Sequence, residues 1–473
     1  MDKVSRAKPN RRQFLTTTAG IAAGSLLSPA LVSAARNSAA ANERVNVAFI
    51  GIAQRGAINL KSMLATGICN PVAMCDVDPT ALQGALDKLK EGELSKYIEP
   101  VRQKPFYSDF RKMLDKHADE IDAVLIATPD HSHFAAAMLA MSLGKHVYVE
   151  KPLAHTFGQC ERLIDLAKRS GVVTQMGNQG HSAANRTQFE AWTTAGVIKD
   201  VTRITAFMNK PRRWHGWGTS VSEYPQDPLP TNFNWESWAG PAKMNPFSKK
   251  LHPGNWRSWF DYGCGALGDW APHLLDTSHR YLKLGLPEKV TAVKLEGQNQ
   301  WVYPQATTLR FDFPEREGPE RQRMPACQVD WFDGLQNVPD LGADFSEFQN
   351  VEPGKIASPG KAIYSATRSF HGTSHAATLN VVSGDQQNLP EYETELPDHW
   401  ENFLLACRGE AEANSPFSVG GPLTQVLNLG MIAQQLGGEL AFDRDSKRFV
   451  NNDAANAMLD PEPRTGWQEF YQL

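Results

Sequence analysis

The sequence reads VNVAFIGIAQRG from Val45 to Gly56. Its first six residues form the apolar run typical of a parallel strand covered on both faces, and an amphipathic segment follows as far as Leu64. A glycine-rich turn between a strand and a helix directs backbone N–H groups toward a pyrophosphate. Ala53 replaces the usual middle glycine, so the turn alone also fits a purely structural role. The predicted dinucleotide-binding residues of this turn are Gly51, Ala53, Gln54, Arg55 and Gly56.

Apolar runs and helical segments alternate through the next 120 or so residues, which is typical of βαβ units. The apolar runs lie at 72–75, 123–127, 146–149 and 172–176. Segments of helical periodicity lie at 79–90, 110–116, 133–143 and 156–169. This pattern predicts an α/β fold with a doubly wound parallel sheet of the Rossmann type.

Polar residues follow several of these strands at the edge where open α/β sheets bind ligands. Asp76 ends the second strand, where a carboxylate accepts hydrogen bonds from ribose hydroxyls and repels a 2′-phosphate, so we expect NAD rather than NADP. Lys151 follows the fifth strand, where an ammonium beside a cationic nicotinamide can titrate low enough to exchange protons. His131 and His133 either contact a ligand or cap the following helix. Further cofactor contacts are predicted at Thr128, Pro129, His133 and Glu150.

A second polar group occurs between 265 and 276. Pro272 is acceptable only in a first helical turn, so a helix is predicted to begin near Asp269. Asp269, His273 and Asp276 then share one face, and a carboxylate and an imidazole one turn apart can hold a substrate hydroxyl and move its proton. The alternatives are an N-cap with a buried core histidine, or a metal site, for which no further ligand cluster stands out.

These motifs together resemble the glucose-fructose oxidoreductase, inositol dehydrogenase and rhizopine-catabolism (Gfo/Idh/MocA) family over nearly the whole chain after the leader. The resemblance implies a Rossmann domain at 44–178 and, at 179–473, an α+β domain with a large open mixed sheet that makes oligomer contacts. It implies that Lys151 is the catalytic acid/base, that Asp269 and His273 are its substrate-side partners, and that Glu150 contacts the cofactor ribose. A homodimer or homotetramer is expected by the same analogy. Substrate contacts are predicted at His131, Asn178, Arg257, Tyr262 and Asp276.

The first 34 residues have the order of an export signal: basic residues, a mildly apolar stretch and small residues at the end. Asn10 to Leu15 fits the twin-arginine pattern, whose pathway carries proteins that are already folded. An uncleaved membrane anchor is the alternative, although glycines and a proline dilute the apolar stretch. We therefore predict a periplasmic or extracytoplasmic protein without stable membrane insertion.

Composition supports a globular enzyme rather than a nucleic-acid or lipid-binding protein. The 473 residues carry a net charge of −4, which becomes −8 without residues 1–34. A surface that acidic disfavours nucleic acid and anionic lipid as partners. The six cysteines include no C-x-x-C pair, so neither a disulfide scaffold nor a structural zinc site is indicated. Residues 335–393 are rich in Gly, Pro, Asp and Ser and are expected to form long surface loops.

Tryptophan is concentrated in an irregular insertion at about 210–262, since seven of the twelve tryptophans lie between 214 and 270. Indoles are costly to leave in water, so the insertion is expected to fold onto the mouth of the cleft. Indole faces suit sugar rings, which makes a carbohydrate-binding surface one interpretation. A packed lid or a subunit interface is the other.

An exported protein has no pool of free NAD, so hydride removed in one half-reaction must return in another to the same bound cofactor. A ping-pong oxidoreductase acting on sugars, glycosides or cyclitols meets this condition and is favoured. An NAD-dependent glycosidase that proceeds through a 3-keto intermediate meets it as well. The third possibility is a secreted carbohydrate-binding protein in which Ala53 has abolished nucleotide binding.

Overall fold

The computed structural model describes residues 44–210, 221–318, 323–346, 359–373 and 376–473. The predicted export signal lies outside the described residues, as do Trp214 and Trp217 of the insertion. Among the described residues, no helix has the length and apolar character needed to cross a membrane.

A parallel six-stranded sheet forms first along the described chain, in the order β3-β2-β1-β4-β5-β6. The strands are β1 (Val45–Ile50), β2 (Cys69–Cys75), β3 (Phe106–Tyr107), β4 (Ala123–Ile126), β5 (His146–Val149) and β6 (Thr174–Met176). Their residues are almost all buried because helices cover both faces. The doubly wound parallel sheet predicted from the sequence is confirmed.

The helices of this region connect successive strands. They are α1 (Arg55–Ala65), α2 (Ala81–Asp87), α3 (Ile98–Arg102), α4 (Phe110–His117), α5 (His133–Ser142) and α6 (Phe157–Ser170). Side-chain caps set some of the starts: Asp109 accepts from the Arg111 N–H at α4, and Thr156 accepts from the Gln159 N–H at α6. At α6, Gly171 adopts a left-handed conformation that ends the helix.

The second sheet is mixed and has nine strands among the described residues, in the order β15-β14-β13-β7-β12-β9-β8-β16-β17. Its strands, with the β10–β11 hairpin, are β7 (Val201–Met208), β8 (Lys289–Glu296), β9 (Ala306–Phe313), β10 (Arg316–Glu317), β11 (Arg323–Met324), β12 (Cys327–Asp333), β13 (Gly360–Ser365), β14 (Ser369–Gly372), β15 (Asn380–Ser383), β16 (Glu439–Asp443) and β17 (Arg448–Phe449). The expected open mixed sheet is confirmed.

The expectation of surface loops over 335–393 is wrong for β13 to β15. These strands are only four to six residues long, so the Gly, Pro, Asp and Ser residues of the whole segment hid them. They are nevertheless well buried at β13, where Ala362 and Ile363 are inaccessible to solvent.

The remaining described helices pack on this sheet and against the first one. They are α7 (Ala184–Thr194), α8 (Trp235–Ala239), α9 (Gly265–Leu274), α10 (Asp276–Tyr281), α11 (His399–Cys407), α12 (Phe417–Leu436) and α13 (Asp453–Leu459). The C-terminal part of the chain packs back against the Rossmann sheet. Phe403 of α11 belongs to the same hydrophobic cluster as the buried residues of α1, and the ring of Trp467 contacts that of Phe110. The predicted division at 178/179 stays a prediction.

Candidate active site

The glycine turn after β1 is shaped by close backbone packing. A Cβ on Gly56 would lie 1.9 Å from the Gly51 carbonyl oxygen, and one on Gly51 would lie 2.7 Å from Ala127, so only glycine fits either position. Gly51 also has a φ of +78°. The Gly56 N–H donates to the Ala53 carbonyl, and the Ala53 methyl packs at the edge of the core. Gln54 precedes α1 with a φ of +43°, and its side chain caps none of the N–H groups of the first turn.

Asp76 closes the same turn from the end of β2. One of its carboxylate oxygens accepts from the Ile52 N–H at 2.9 Å and the other from the Asp78 N–H at 3.0 Å. Burial raises the pKa of Asp76, although these N–H donors oppose the shift. The acid and the glycine turn therefore form one site, as a ribose-binding carboxylate requires.

At the end of β4, the buried Thr128 hydroxyl has no hydrogen-bond partner in the described part of the chain. An unpaired hydroxyl at the carboxyl edge of the sheet fits a polar ligand there. The unpaired Thr128 hydroxyl, the uncapped start of α1 and the position of Asp76 together fit the binding of a dinucleotide at this edge of the sheet. Gly51, Gln54, Asp76 and Thr128 would hold it.

His131 and His133, predicted to contact ligands, are placed as structural links instead. The His131 ring lies between the Trp238 carbonyl at 2.6 Å and the Tyr262 carbonyl at 3.1 Å. The His133 ring lies between the carbonyls of Thr128 and Pro152, each at 2.9 Å. Both side chains are about 1% exposed, and backbone oxygens occupy both nitrogens of each ring. Neither ring has a nitrogen left for a ligand.

Glu150 follows β5, and its side chain contacts α1, the helix that follows the glycine turn. Its Oε1 accepts from Arg55 Nε, Asn59 Nδ2 and Gln179 Nε2, each at 3.0 Å. Burial alone raises the pKa of Glu150, but the charges of Arg55 and Lys151 outweigh it and hold that pKa below its usual range. Glu150 thus holds Arg55 in place, while its predicted contact with the cofactor ribose stays a prediction.

Lys151 and Asp269 meet across the cleft between the two sheets. Lys151 Nζ donates to Asp269 Oδ1 at 2.6 Å and to the Asp269 carbonyl at 2.9 Å. Arg257 extends this pair, since its Nε lies 3.5 Å from Asp269 and its NH1 donates to both oxygens of Asp130, at 2.8 and 2.9 Å. Burial lowers the pKa of Lys151 and Arg257 lowers it further, while Asp269 opposes both effects. A lysine in this setting can act as an acid or a base.

The helix that carries Asp269 begins at Gly265, four residues earlier than predicted, and ends at Leu274. Helical hydrogen bonding already starts with the Gly268 N–H donating to the Cys264 carbonyl, so Pro272 lies inside the helix. Asp276 consequently belongs to the next helix, α10, rather than to a continuous face with Asp269. His273 lies one turn after Asp269, with its ring 5.9 Å from that of Trp270.

Asp276 takes part in a separate buried cluster at the end of β6. Its Oδ2 lies 3.2 Å from His181 Nδ1 and accepts from Asn178 Nδ2 at 3.4 Å. The remaining His181 nitrogen accepts from Arg280 at 2.9 Å, and Lys361 of β13 donates to the adjacent Thr277 hydroxyl at 3.0 Å.

His181 and Lys361 were missed by the sequence analysis. For His181 the signal was present, since it lies three residues after Asn178 beyond a strand end. Lys361 stands in the short strand β13, whose pattern gave no signal.

Tyr262 and the tryptophans of the insertion are packed inside it. Tyr262 is inaccessible to solvent, and its hydroxyl donates to the Lys243 carbonyl and accepts from Asn245. Trp235 and Trp238 stack at 4.2 Å with an angle of 10° between their planes. The buried aromatic core of the insertion consists of Phe233, Trp235, Trp238, Phe247, Trp256, Trp259 and Tyr262. Their faces are not available to a sugar, so the described part of the insertion is a packed structure.

Among the described residues, no three His, Cys, Asp or Glu side chains are grouped so that they could hold a metal ion. The Lys151–Asp269 pair lies at the carboxyl edge of the Rossmann sheet, where a dinucleotide is expected. An amine and a carboxylate in contact can accept the proton of an alcohol and hold the resulting charge.

Two models of known protein families match the chain. Residues 45–178 match the family model described as the Gfo/Idh/MocA oxidoreductase family, NAD-binding Rossmann fold. Residues 193–309 and 387–469 match the model of the C-terminal alpha/beta domain of the same oxidoreductase family. The N-terminal domain is thus an NAD-binding Rossmann domain, as predicted.

Curated relatives match about a third of the chain. A glycosyl hydrolase family 109 protein of Shewanella pealeana is 33% identical over 177 residues, which are 34% of this chain and 38% of the relative. An alpha-N-acetylgalactosaminidase of Shewanella oneidensis is 28% identical over 181 residues, 34% of this chain and 37% of the relative. The chain therefore spans well under half the length of these relatives.

Solved structures share the fold over most of the chain. The WlbA dehydrogenase of Bordetella pertussis, solved with NADH and UDP-GlcNAcA, has a TM-score of 0.54 at 16% identity and covers 85% of this chain and 99% of its own. The aldose-aldose oxidoreductase of Caulobacter crescentus, solved with glycerol, has a TM-score of 0.53 at 14% identity and covers 86% and 99%. At these identities the likeness establishes the fold.

Proposed function

The chain belongs to the Gfo/Idh/MocA oxidoreductase family, and on that premise we propose that it oxidises a ring hydroxyl of a sugar, glycoside or cyclitol with a tightly bound NAD that is reduced and reoxidised in place. The observation that carries the proposal is the contact of 2.6 Å between Lys151 Nζ and Asp269 Oδ1. It joins the end of a Rossmann strand to a helix of the second domain, at the edge of the sheet where the nicotinamide ring is expected.

Lys151 acts as the base in this scheme. Burial and Arg257 lower its pKa, which makes the neutral amine accessible, and the amine takes the proton of the substrate hydroxyl. Asp269 then holds the ammonium that forms and keeps it directed at the substrate. NAD, when bound, supplies the hydride acceptor. In the return half-reaction Lys151 gives its proton back to the oxygen of a second carbonyl substrate.

His273 lies one helical turn from Asp269 and is proposed as a second contact to the substrate hydroxyl. The cluster of Asn178 and Asp276 is proposed to bind other hydroxyls of the ring. The buried Asn178 Oδ1 has no hydrogen-bond partner in the described part of the chain, and this supports a ligand donor at that point.

A second candidate function is NAD-dependent hydrolysis of a glycoside. It is favoured by the relatives named glycosyl hydrolase family 109, which match 34% and 27% of the chain. The first step is the same oxidation, after which loss of the acidified ring proton releases the aglycone, water adds, and the ketone is reduced. Lys151 would again move the hydroxyl proton.

One experiment separates these functions. The protein is purified without added nucleotide and incubated with a panel of sugars, cyclitols and aryl glycosides, and both keto products and released aglycones are quantified. Aglycone release with retention of the sugar's oxidation state supports the hydrolase. Paired formation of a ketone and reduction of an added aldose support the oxidoreductase. Absence of both reactions, with no nucleotide in the denatured protein, refutes both.

We also propose that the protein is exported through the twin-arginine pathway and works in the periplasm as a dimer or tetramer. The Arg11-Arg12 pair in the first 34 residues supports export. Self-association is proposed by analogy with the family, and the open nine-stranded sheet is the surface that we assign to it. Replacing Arg11 and Arg12 with lysine should leave the protein in the cytoplasmic fraction, and light scattering of the purified protein gives its oligomeric state.

A further inference from the structure

The described part of the tryptophan-rich insertion, residues 221–262, lies along one particular edge of the Rossmann sheet. Its Asn234 N–H donates to the Val77 carbonyl at 3.0 Å, and Asn234 Nδ2 donates to the Ser108 carbonyl at 3.1 Å. Val77 follows Asp76 at the end of β2, and Ser108 follows β3. In a Rossmann domain this edge receives the adenosine half of a dinucleotide.

Two further contacts reach the same edge from another part of the insertion. His252 Nε2 lies 3.6 Å from Asp78 Oδ2. A Cβ on Gly254 would lie 3.6 Å from the Gln54 side-chain amide, so the insertion also touches the glycine turn. The contacts therefore flank Asp76 on both sides, at the turn and at the strand end.

The insertion is firm enough to act as a wall. Phe233 contacts the ring of His252 with centroids 4.7 Å apart, and Trp235 stacks on Trp238. The Trp235 indole N–H donates to the Asn245 carbonyl at 2.8 Å, and Trp259 is inaccessible to solvent. Since this core is built from the insertion's own aromatic residues, the contacting groups at Asn234 and His252 are held in place by it.

We propose that the insertion is the outer wall of the adenosine pocket and that its contacts with Val77, Asp78 and Ser108 slow the release of the dinucleotide. The ligand class is the adenosine moiety of a pyridine dinucleotide. The inference rests on the proposed function, because a cofactor that is reoxidised in place must leave more slowly than the substrates turn over. It assigns the aromatic residues to cofactor retention rather than to sugar binding.

The test weakens the contacts between the wall and the sheet edge, and within the wall it removes one ring contact, that of His252 with Phe233. Asn234→Asp keeps the oxygen that accepts from the Ser237 N–H and caps α8, but it replaces the amide that donates to Ser108 with a carboxylate facing a carbonyl. His252→Ala removes the contact to Asp78. The matched control is Asp227→Asn, because the Asp227 carboxylate accepts only from Ser248 and Lys249 within the insertion in the described contacts.

Each protein is purified with its nucleotide and dialysed against an excess of labelled NAD, and the exchange half-life is measured together with the melting temperature. The double variant should exchange about tenfold faster than wild type, which corresponds to about 1.4 kcal/mol, while the control exchanges at the wild-type rate. Unchanged exchange in the double variant, with nucleotide still present, refutes the wall and leaves the proposed function intact. Wild-type protein that carries no nucleotide and does not take up labelled NAD refutes the proposed function itself.

Should the double variant unfold, the single Asn234→Asp variant serves instead, because it removes the hydrogen bond to the Ser108 carbonyl and keeps His252 beside Asp78. Its exchange must then be faster than that of Asp227→Asn for the inference to stand.

Discussion

Replacing Asp269 with asparagine removes the negative charge nearest to Lys151 while preserving the size of the side chain. The two charges are 2.6 Å apart, and Coulomb's law gives about 1.6 kcal/mol at this distance even with the dielectric constant of bulk water. That energy corresponds to about one pKa unit, and the buried setting makes the interaction larger. Because Asp269 raises the pKa of Lys151, its removal must lower that pKa.

Removing Asp269 should shift the pH dependence of turnover to lower pH. Alcohol oxidation needs the neutral amine, whose population grows as pH rises through the pKa of Lys151. In Asp269→Asn the rising limb of the kcat profile should therefore move to lower pH by about one unit or more, even though the maximal rate falls. The Lys151 side-chain resonance of selectively labelled protein should show the same displacement by NMR.

Two controls make this result decisive. Lys151→Ala should abolish turnover and eliminate the resonance while leaving bound NAD in place, since the lysine acts on a proton rather than on the pyrophosphate. Asp333→Asn removes another buried carboxylate, held by the Trp331 indole at 2.7 Å in the second sheet, and should leave the Lys151 titration unchanged. A profile of Asp269→Asn that stays in place or moves to higher pH would refute the assignment of Lys151 as the base.

Three further predictions concern stability and are measured by urea unfolding. Gly56→Ala should cost about 2–3 kcal/mol because its Cβ would lie 1.9 Å from a carbonyl oxygen, whereas Gly84→Ala, in an open position of α2, should gain about 0.5–1 kcal/mol. Asp130→Ala should cost about 3–5 kcal/mol because it leaves the buried Arg257 without its bidentate partner. Burial lowers the pKa of Lys361 in the folded protein, so between that pKa and the usual lysine value of 10.5 the unfolded chain binds more protons than the folded one. The free energy of unfolding should therefore rise with pH over this range. Lys361→Met should remove this contribution to the pH dependence of stability.

The sequence predicted the features that depend on neighbours along the chain. The glycine turn and Asp76 lie on two strands that are adjacent in the parallel sheet, so strand periodicity and the rule for carboxyl ends were enough to bring them together. Lys151 was placed by the strand that precedes it. Its pairing with Asp269, 118 residues away, came from the family resemblance, since periodicity carries no information on contacts between domains.

Other outcomes depended on tertiary contacts that no local pattern reports. His131 was predicted to bind substrate or cap a helix, but carbonyl groups more than 100 residues away enclose its ring. Pro272 was expected to mark a helix start, but hydrogen bonds from Gly268 onward had already formed the helix, which tolerates one missing N–H. The tryptophans in the described part of the insertion are buried, as expected, but the sequence could not tell that they would pack on each other.

Arg257 connects the insertion to the reaction chemistry. It belongs to the insertion, yet its guanidinium binds Asp130 beyond β4 and lies 3.5 Å from the Asp269 carboxylate that pairs with Lys151. Its positive charge lowers the pKa of Lys151, so the position of the insertion affects the proton affinity of the base. The same segment that contacts the adenosine edge through Asn234 thus also sets the charge around the acid–base pair. A shift of the insertion away from the sheet would therefore loosen the cofactor and raise the pKa of Lys151 together, which links retention of the dinucleotide to readiness for proton transfer.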